Sequence, residues 1–152
     1  MVYRVIIFLL INFSALGLGG LLMGKGAGSE WYQTLSKAPW TPPGWSFGLA
    51  WTVIMICLSF YMSIAWKSIV HRDLLLIIFI IQWILNVSWN PVFFYYHQVL
   101  AGLFIIVILA MVVGFMMFHY QHQLRWASLF ILPYFLWLLV AISLNAYILI
   151  KN

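Results

Sequence analysis

At 152 residues, with 66% of them hydrophobic, 6% charged and a mean hydropathy of +1.09, the chain has too few polar side chains to cover a soluble surface. Its net charge of +5 comes from basic residues scattered singly, which suits lipid headgroups and argues against a nucleic-acid partner. A lone cysteine, Cys57, excludes a disulfide framework.

In lipid the backbone must pair with itself, so only helices or a closed barrel can cross. The apolar runs continue for about 20 residues without alternation, which is the length of a spanning helix. These runs predict an all-α integral membrane protein, a single five-helix transmembrane bundle over residues 1–152. The first span covers 5–23; Arg4 and this run resemble a secretory leader. The apolar stretch continues to Met23 with no small-x-small site behind it, so it is expected to stay as a span. Residues 24–41 form a lid-like loop. Span two covers 42–66, with Thr41 as N-cap and Pro42 at its first position. Lys67 to Arg72 make a short basic turn, and Asp73 caps span three, 74–96. His97 and Gln98 lead into span four, 99–118, and residues 119–125 turn the chain into span five, 126–150. Short connections predict that consecutive spans are antiparallel neighbours. Arg4, Lys67, Arg72 and Arg125 then share one side and Lys25, Lys37 and Lys151 the other, which leans toward a cytoplasmic N-terminus.

Both carboxylates, Glu30 and Asp73, fall outside the spans or at their edges, as do the basic residues and the four histidines. Hydrolysis within a membrane needs a nucleophile with a base, a carboxylate pair or a liganded metal. None can be assembled from span residues, so no hydrolytic or acid–base site is expected. No metal site is expected either. His71, His119 and His122 share a side, but no Cys or carboxylate cluster completes a ligand set, and interfacial histidines explain them. An ion-coupled transporter would carry an ionisable residue inside a span, and the spans hold none.

Nine tryptophans remain. Trp31, Trp45, Trp66 and Trp126 fit an interfacial belt. Trp83 and Trp137 do not: counted from Trp126, Trp137 would lie about 16 Å deep, and Trp51 and Trp89 lie part-way in. An indole N–H in hydrocarbon needs a partner, so these rings are expected to face the bundle interior. Gln82, Asn86 and Asn90 recur at i, i+4 and i+8, putting three amides on one face of span three. Interhelical hydrogen bonding explains such a stripe as readily as a ligand does. Pro91 frees the carbonyl of Val87 and is expected to kink the helix. Tyr134, Trp137, Ala141 and Asn145 form a matching stripe on span five, where Pro133 frees the carbonyl of Leu129. Trp51, Met55 and Ser59 form a third on span two. Together the stripes point to a cavity among spans two, three and five. The loop, with Trp31, Tyr32 and Trp40, is long and aromatic enough to lid it.

Three segments resemble one known family. They are Trp40-x-Pro42-Pro43-x-Trp45 running on to Trp51, Asn86-x-x-Trp89-x-Pro91-x-Phe93-Phe94, and Leu132-Pro133-Tyr134-x-x-Trp137-x-x-x-Ala141-x-x-Leu144-Asn145. The family is that of the tryptophan-rich sensory proteins and translocator proteins (TspO/MBR), also called peripheral-type benzodiazepine receptors. Spans one and four match only in hydrophobicity, and Asn90 and Val140 depart from the pattern, where a smaller residue and an aromatic are usual. The resemblance implies a membrane bundle, usually a homodimer, that binds porphyrins such as protoporphyrin IX and haem. It also implies isoquinoline carboxamide and benzodiazepine-type ligands, with sterols for some members. Carried over by position, the ligand contacts are Tyr32, Trp51, Asn86, Asn90, Trp137, Ala141 and Leu144. No cofactor is required; the porphyrin is itself ligand or substrate. Trp51 and Trp137 would stack on a flat ring while the amides orient its polar edge. Spans free of histidine suit a metal-free porphyrin better than axially ligated haem.

Two alternatives share that pocket. A light- and oxygen-dependent porphyrin-degrading enzyme would use the oxidisable Trp51 and Trp137 as catalytic residues. A passive transporter of porphyrin or sterol would need no coupling site. Leu144-x-x-Tyr147-x-x-x-Lys151 fits a proposed sterol pattern, which a belt tyrosine and a snorkelling lysine explain equally. Gly20-x-x-x-Gly24 and Ala110-x-x-x-Gly114 are small-residue pairs of the kind that pack helices closely.

Overall fold

The computed structural model describes residues 1–152. Its helices are α1 (Val2–Leu22), α2 (Glu30–Thr34), α3 (Gly44–Ser68), α4 (Arg72–Asn90), α5 (Val99–Leu124) and α6 (Leu132–Lys151). Tight 3₁₀ turns occupy Gly26–Gly28 and Arg125–Phe130, and a π-helical turn occupies Pro91–Tyr95. All the helices but α2 are long and apolar enough to cross a membrane, giving five spans. Rows such as Ile77, Ile80 and Ile84 on α4 and Phe104, Met111 and Phe115 on α5 are exposed. Lipid tails are as apolar as these side chains, so such faces need no protein cover.

Several boundaries differ from those read off hydropathy, each for a local reason. Helix α3 starts at Gly44 instead of residue 42, with Pro43 extended (ψ 146°) as its N-cap in place of Thr41. A residue before proline is pushed out of the helical region, which keeps Pro42 outside the helix. Helix α4 begins at Arg72, so Asp73 sits in its first turn, facing the N-terminal dipole, and does not cap it. Helix α5 runs on to Leu124, since residues 119–124 contain neither Gly nor Pro to stop it. The break comes at Arg125, with φ +49°. Helix α6 therefore opens at Leu132 with Pro133 in its first turn, where the missing N–H costs nothing, and no carbonyl within the helix is freed. Trp137 lies in the second turn of α6, not deep in a helix begun at Trp126. At Pro91 the chain rewinds as a π turn, with the Tyr96 N–H donating to Pro91 O at 2.9 Å.

Around the bundle the order is α3, α1, α4, α5, α6, with α6 meeting α3 lightly. Helix α1 is thus inserted between α3 and α4, and the short turn joining those two does not make them neighbours along their length. Phe8 is the wedge: its ring lies 6.2 Å from Trp66 and edge-on, at 5.4 Å, to Phe79. At the other end of α1, Gly19 permits contact with α4, because a Cβ there would stand 2.5 Å from Asn90 Nδ2.

The bundle also divides along its height. In the half far from the first loop, Leu58, Tyr61, Met62, Leu75, Val113, Met116 and Ile131 share one closely packed core. In the half beneath the loop the same helices surround a cavity. Gly114 belongs to the packed half: a Cβ on it would lie 3.0 Å from Phe135 Cε2, and Ala110 is buried nearby. The Ala110–Gly114 pair is therefore taken up by the bundle's own α6. Gly24 lies beyond the end of α1 with φ +63°, so Gly20 and Gly24 share no helical face. Replacing Gly114 by Leu should overpack the α5–α6 seam and cost about 1–3 kcal/mol. The expected result is a lower melting temperature in detergent micelles with the oligomeric state unchanged.

Candidate functional site

Hydrogen bonds that lipid cannot supply set the rotation of each helix. Asn86 Nδ2 donates to the Tyr134 hydroxyl at 2.7 Å, and that hydroxyl donates to Gln82 Oε1 at 3.2 Å. The amide stripe of α4 and the stripe of α6 are joined at this node. Gln82 is spent there and is not on the cavity wall. On the opposite flank, Asn12 Nδ2 donates to Ser59 Oγ at 2.9 Å, which donates to Met55 O at 2.7 Å. The Ser59 end of the α3 stripe consequently faces α1, and of that stripe Trp51 alone reaches the cavity. Trp83 Nε1 donates to Ile11 O at 3.0 Å, giving the mid-span indole its partner in α1. With its amide turned to satisfy both neighbours, Asn145 donates to Val99 O at 3.1 Å and accepts from Leu103 N–H at 3.2 Å.

Above this network lies a cavity of about 660 Å³. The structure brings to its wall all seven residues named through the resemblance: Tyr32, Trp51, Asn86, Asn90, Trp137, Ala141 and Leu144. Each indole is supported by a second ring, Trp51 by Tyr134 at 5.8 Å and Trp137 by Phe47 at 5.6 Å. One amide hydrogen of Asn86 is committed to Tyr134, which leaves its Oδ1 and the other hydrogen for the cavity. Leu16, Gly20 and Met23 add a wall from α1 that sequence reasoning did not assign. The signal was there in Asn12 and in the Gly17-Leu18-Gly19-Gly20 run, a polar residue and a small-residue patch inside an apolar span. No histidine and no carboxylate lines the cavity.

The loop is a folded roof. Gly24 (φ +63°) and Gly26 (φ +51°) turn the chain over the end of the bundle in a conformation other residues resist. Ser29 caps α2, its Oγ accepting the Tyr32 N–H at 3.2 Å. Trp31 stacks on His97 at 4.1 Å, and Tyr32 packs 5.3 Å from Phe94. Burial pushes the Tyr32 phenol above its ordinary range, so it remains a neutral donor. Trp40 Nε1 donates to Ser143 Oγ at 3.1 Å, with its ring edge-on to Tyr147 at 5.5 Å. Asn152 accepts the Ser36 N–H at 2.8 Å and returns its Nδ2 to Ser36 O at 3.2 Å. Of the sterol-pattern residues, Leu144 is buried in the cavity wall, Tyr147 carries Trp40 and Lys151 is exposed. They do not form one outward surface.

Tyr134→Phe would leave the Asn86 amide and Gln82 Oε1 without their shared partner. It should cost about 1–2 kcal/mol, seen as a lower thermal midpoint in detergent. Tyr147→Phe, whose hydroxyl makes no protein hydrogen bond, should leave that midpoint unchanged.

Compared with known proteins, the chain matches the model of the TspO/MBR family over residues 6–150. It is 34% identical over 139 residues to the tryptophan-rich protein TspO of Archaeoglobus fulgidus, covering 91% of this chain and 90% of that one. It is 33% identical over 142 residues to the tryptophan-rich protein TspO of Chlorobaculum tepidum, covering 91% and 89%. The translocator protein of Sus scrofa is 27% identical over 135 residues, 84% of this chain and 80% of that protein. The family match includes the first and fourth spans, where the residues alone agreed only in hydrophobicity. With five spanning helices, an aromatic cavity beneath a tryptophan-bearing roof and a match along nearly its whole length, this chain is a membrane protein of the TspO/MBR family.

Proposed function

We propose that the roofed cavity binds a flat, apolar tetrapyrrole, a porphyrin such as protoporphyrin IX, and that the protein is a membrane receptor or sensor for it. Isoquinoline carboxamide and benzodiazepine-type compounds, also flat and aromatic, would enter the same space. The cavity carries the reading. Its volume of about 660 Å³ falls within the roughly 300–1,000 Å³ of small-molecule sites. Trp51 and Trp137 offer π faces, and Asn86 Oδ1 can accept a pyrrole N–H. No histidine or cysteine stands on the wall to serve as an axial ligand, which favours the metal-free ring over haem. A homodimer within the bilayer is part of the same proposal.

A second reading, light- and oxygen-dependent breakdown of the bound porphyrin, is favoured by one observation. The oxidisable indoles Trp51 and Trp137, with Trp89 as a third, border the space the ring would occupy.

The test is a titration of purified protein with protoporphyrin IX, followed by tryptophan fluorescence in the dark. Saturable quenching is expected, and Ala141→Phe, which fills the cavity, should weaken it by about tenfold or more, some 1.4 kcal/mol. Illumination in air then separates the two readings. Loss of porphyrin absorbance that Trp51→Phe or Trp137→Phe abolishes would establish the enzyme, and stable porphyrin the receptor. Wild-type protein that shows no saturable binding would remove both.

A further inference from the structure

The cavity wall carries one charged side chain, Lys37, among 24 lining residues. The two carboxylates lie elsewhere, Glu30 in the first turn of α2 and Asp73 in the first turn of α4. The Lys37 ammonium donates to Gln33 O at 3.1 Å and to Leu35 O at 3.5 Å, and it lies 4.9 Å from the centre of the Tyr32 ring. Those carbonyls belong to the C-terminal end of α2, so part of the work of Lys37 is to cap that helix. Capping leaves the ammonium's third N–H unused.

The rest of the polar lining cannot play the same part. Asn86 and Asn90 are neutral amides, and one hydrogen of Asn86 is already committed to Tyr134. The cavity therefore has a polarity gradient, with a cation in the roof and neutral amides and indoles on the helices below. An ammonium set beside the Tyr32 ring on an otherwise uncharged wall, with one N–H unused, gains from an incoming anion.

We infer that Lys37 anchors a carboxylate of the ligand, so that the cavity selects flat apolar molecules with an acidic edge over their neutral esters. The inference rests on the tetrapyrrole reading and adds an orientation to it. The acid edge faces the roof, and the ring lies below, among Trp51, Trp137 and Asn86. Lys37 is half-exposed, so its contribution lies between that of a surface ion pair and a buried charged hydrogen bond, about five- to tenfold in affinity.

The experiment compares protoporphyrin IX with its dimethyl ester, each titrated into the full chain in uncharged detergent, for wild type, Lys37→Gln and Lys37→Arg. Wild type should bind the acid about five- to tenfold more tightly than the ester. Lys37→Gln should lose that preference by weakening the acid alone, and Lys37→Arg should retain it. Equal wild-type affinity for acid and ester overturns the inference and leaves the tetrapyrrole reading standing. Lys37→Gln weakening both ligands equally also overturns it, and reduces Lys37 to a cap of the roof helix. Wild type that binds neither removes the tetrapyrrole reading, and the anchor with it.

Discussion

A polar side chain inside a bilayer must find its partner in protein, because hydrocarbon offers neither donor nor acceptor. That constraint fixes how the helices of this bundle are turned. Asn12 on α1 reaches Ser59 on α3, Asn86 and Gln82 on α4 share Tyr134 on α6, and Trp83 on α4 closes on a carbonyl of α1. Once Tyr134 is held by α4, Trp137 and Ala141, one and two turns further along α6, must face the same interior. The pairs that satisfy the backbone's surroundings and the residues that shape the cavity are thus consecutive members of the same stripes.

The molecule uses the two halves of its height differently. The half away from the first loop is close-packed, with Tyr61, Met62 and Leu75 fully buried and Gly114 pressed on Phe135. The other half is hollow, and a hollow forfeits dispersion contacts. The roof offsets part of that loss by tying together helix ends that would otherwise be free to separate. Trp31 rests on the α4–α5 turn through His97, while Trp40 and Ser36 are fastened to α6 through Ser143 and Asn152. A roof held at separate points can loosen at one without detaching, which would open a way into the hollow.

The chemistry available in the hollow is narrow. Its polar groups are neutral amides, the Tyr32 and Thr41 hydroxyls and one ammonium, set among aromatic faces. Any discrimination among ligands would therefore rest on shape, stacking and the placement of a single charge, not on proton transfer. Any reaction of a bound pigment would have to start from the pigment's own reactivity, with the protein supplying position, oxidisable indoles and the exclusion of water.

Much of this was legible in the residues because the bilayer imposes a local rule. Its thickness demands runs of about 20 apolar residues, and each run can be counted without reference to any other, so five spans follow from the chain alone. Amides at i, i+4 and i+8 declare a protein-facing stripe by the same local logic, and the tryptophan-, proline- and asparagine-bearing segments pointed to the family. What the sequence could not state are relations between spans. The insertion of α1 between α3 and α4 depends on Phe8 meeting Trp66 and Phe79, and on Gly19 admitting Asn90. The absorption of Ala110 and Gly114 into the α5–α6 seam depends on where Phe135 falls. Ser59 turned to α1 and not to the cavity because Asn12, far away in the chain, needed it. Lys37 came to the cavity wall because the roof folds back over the bundle. Hydropathy measures each residue against lipid, whereas these outcomes were decided by which protein surface each residue met once the helices had packed.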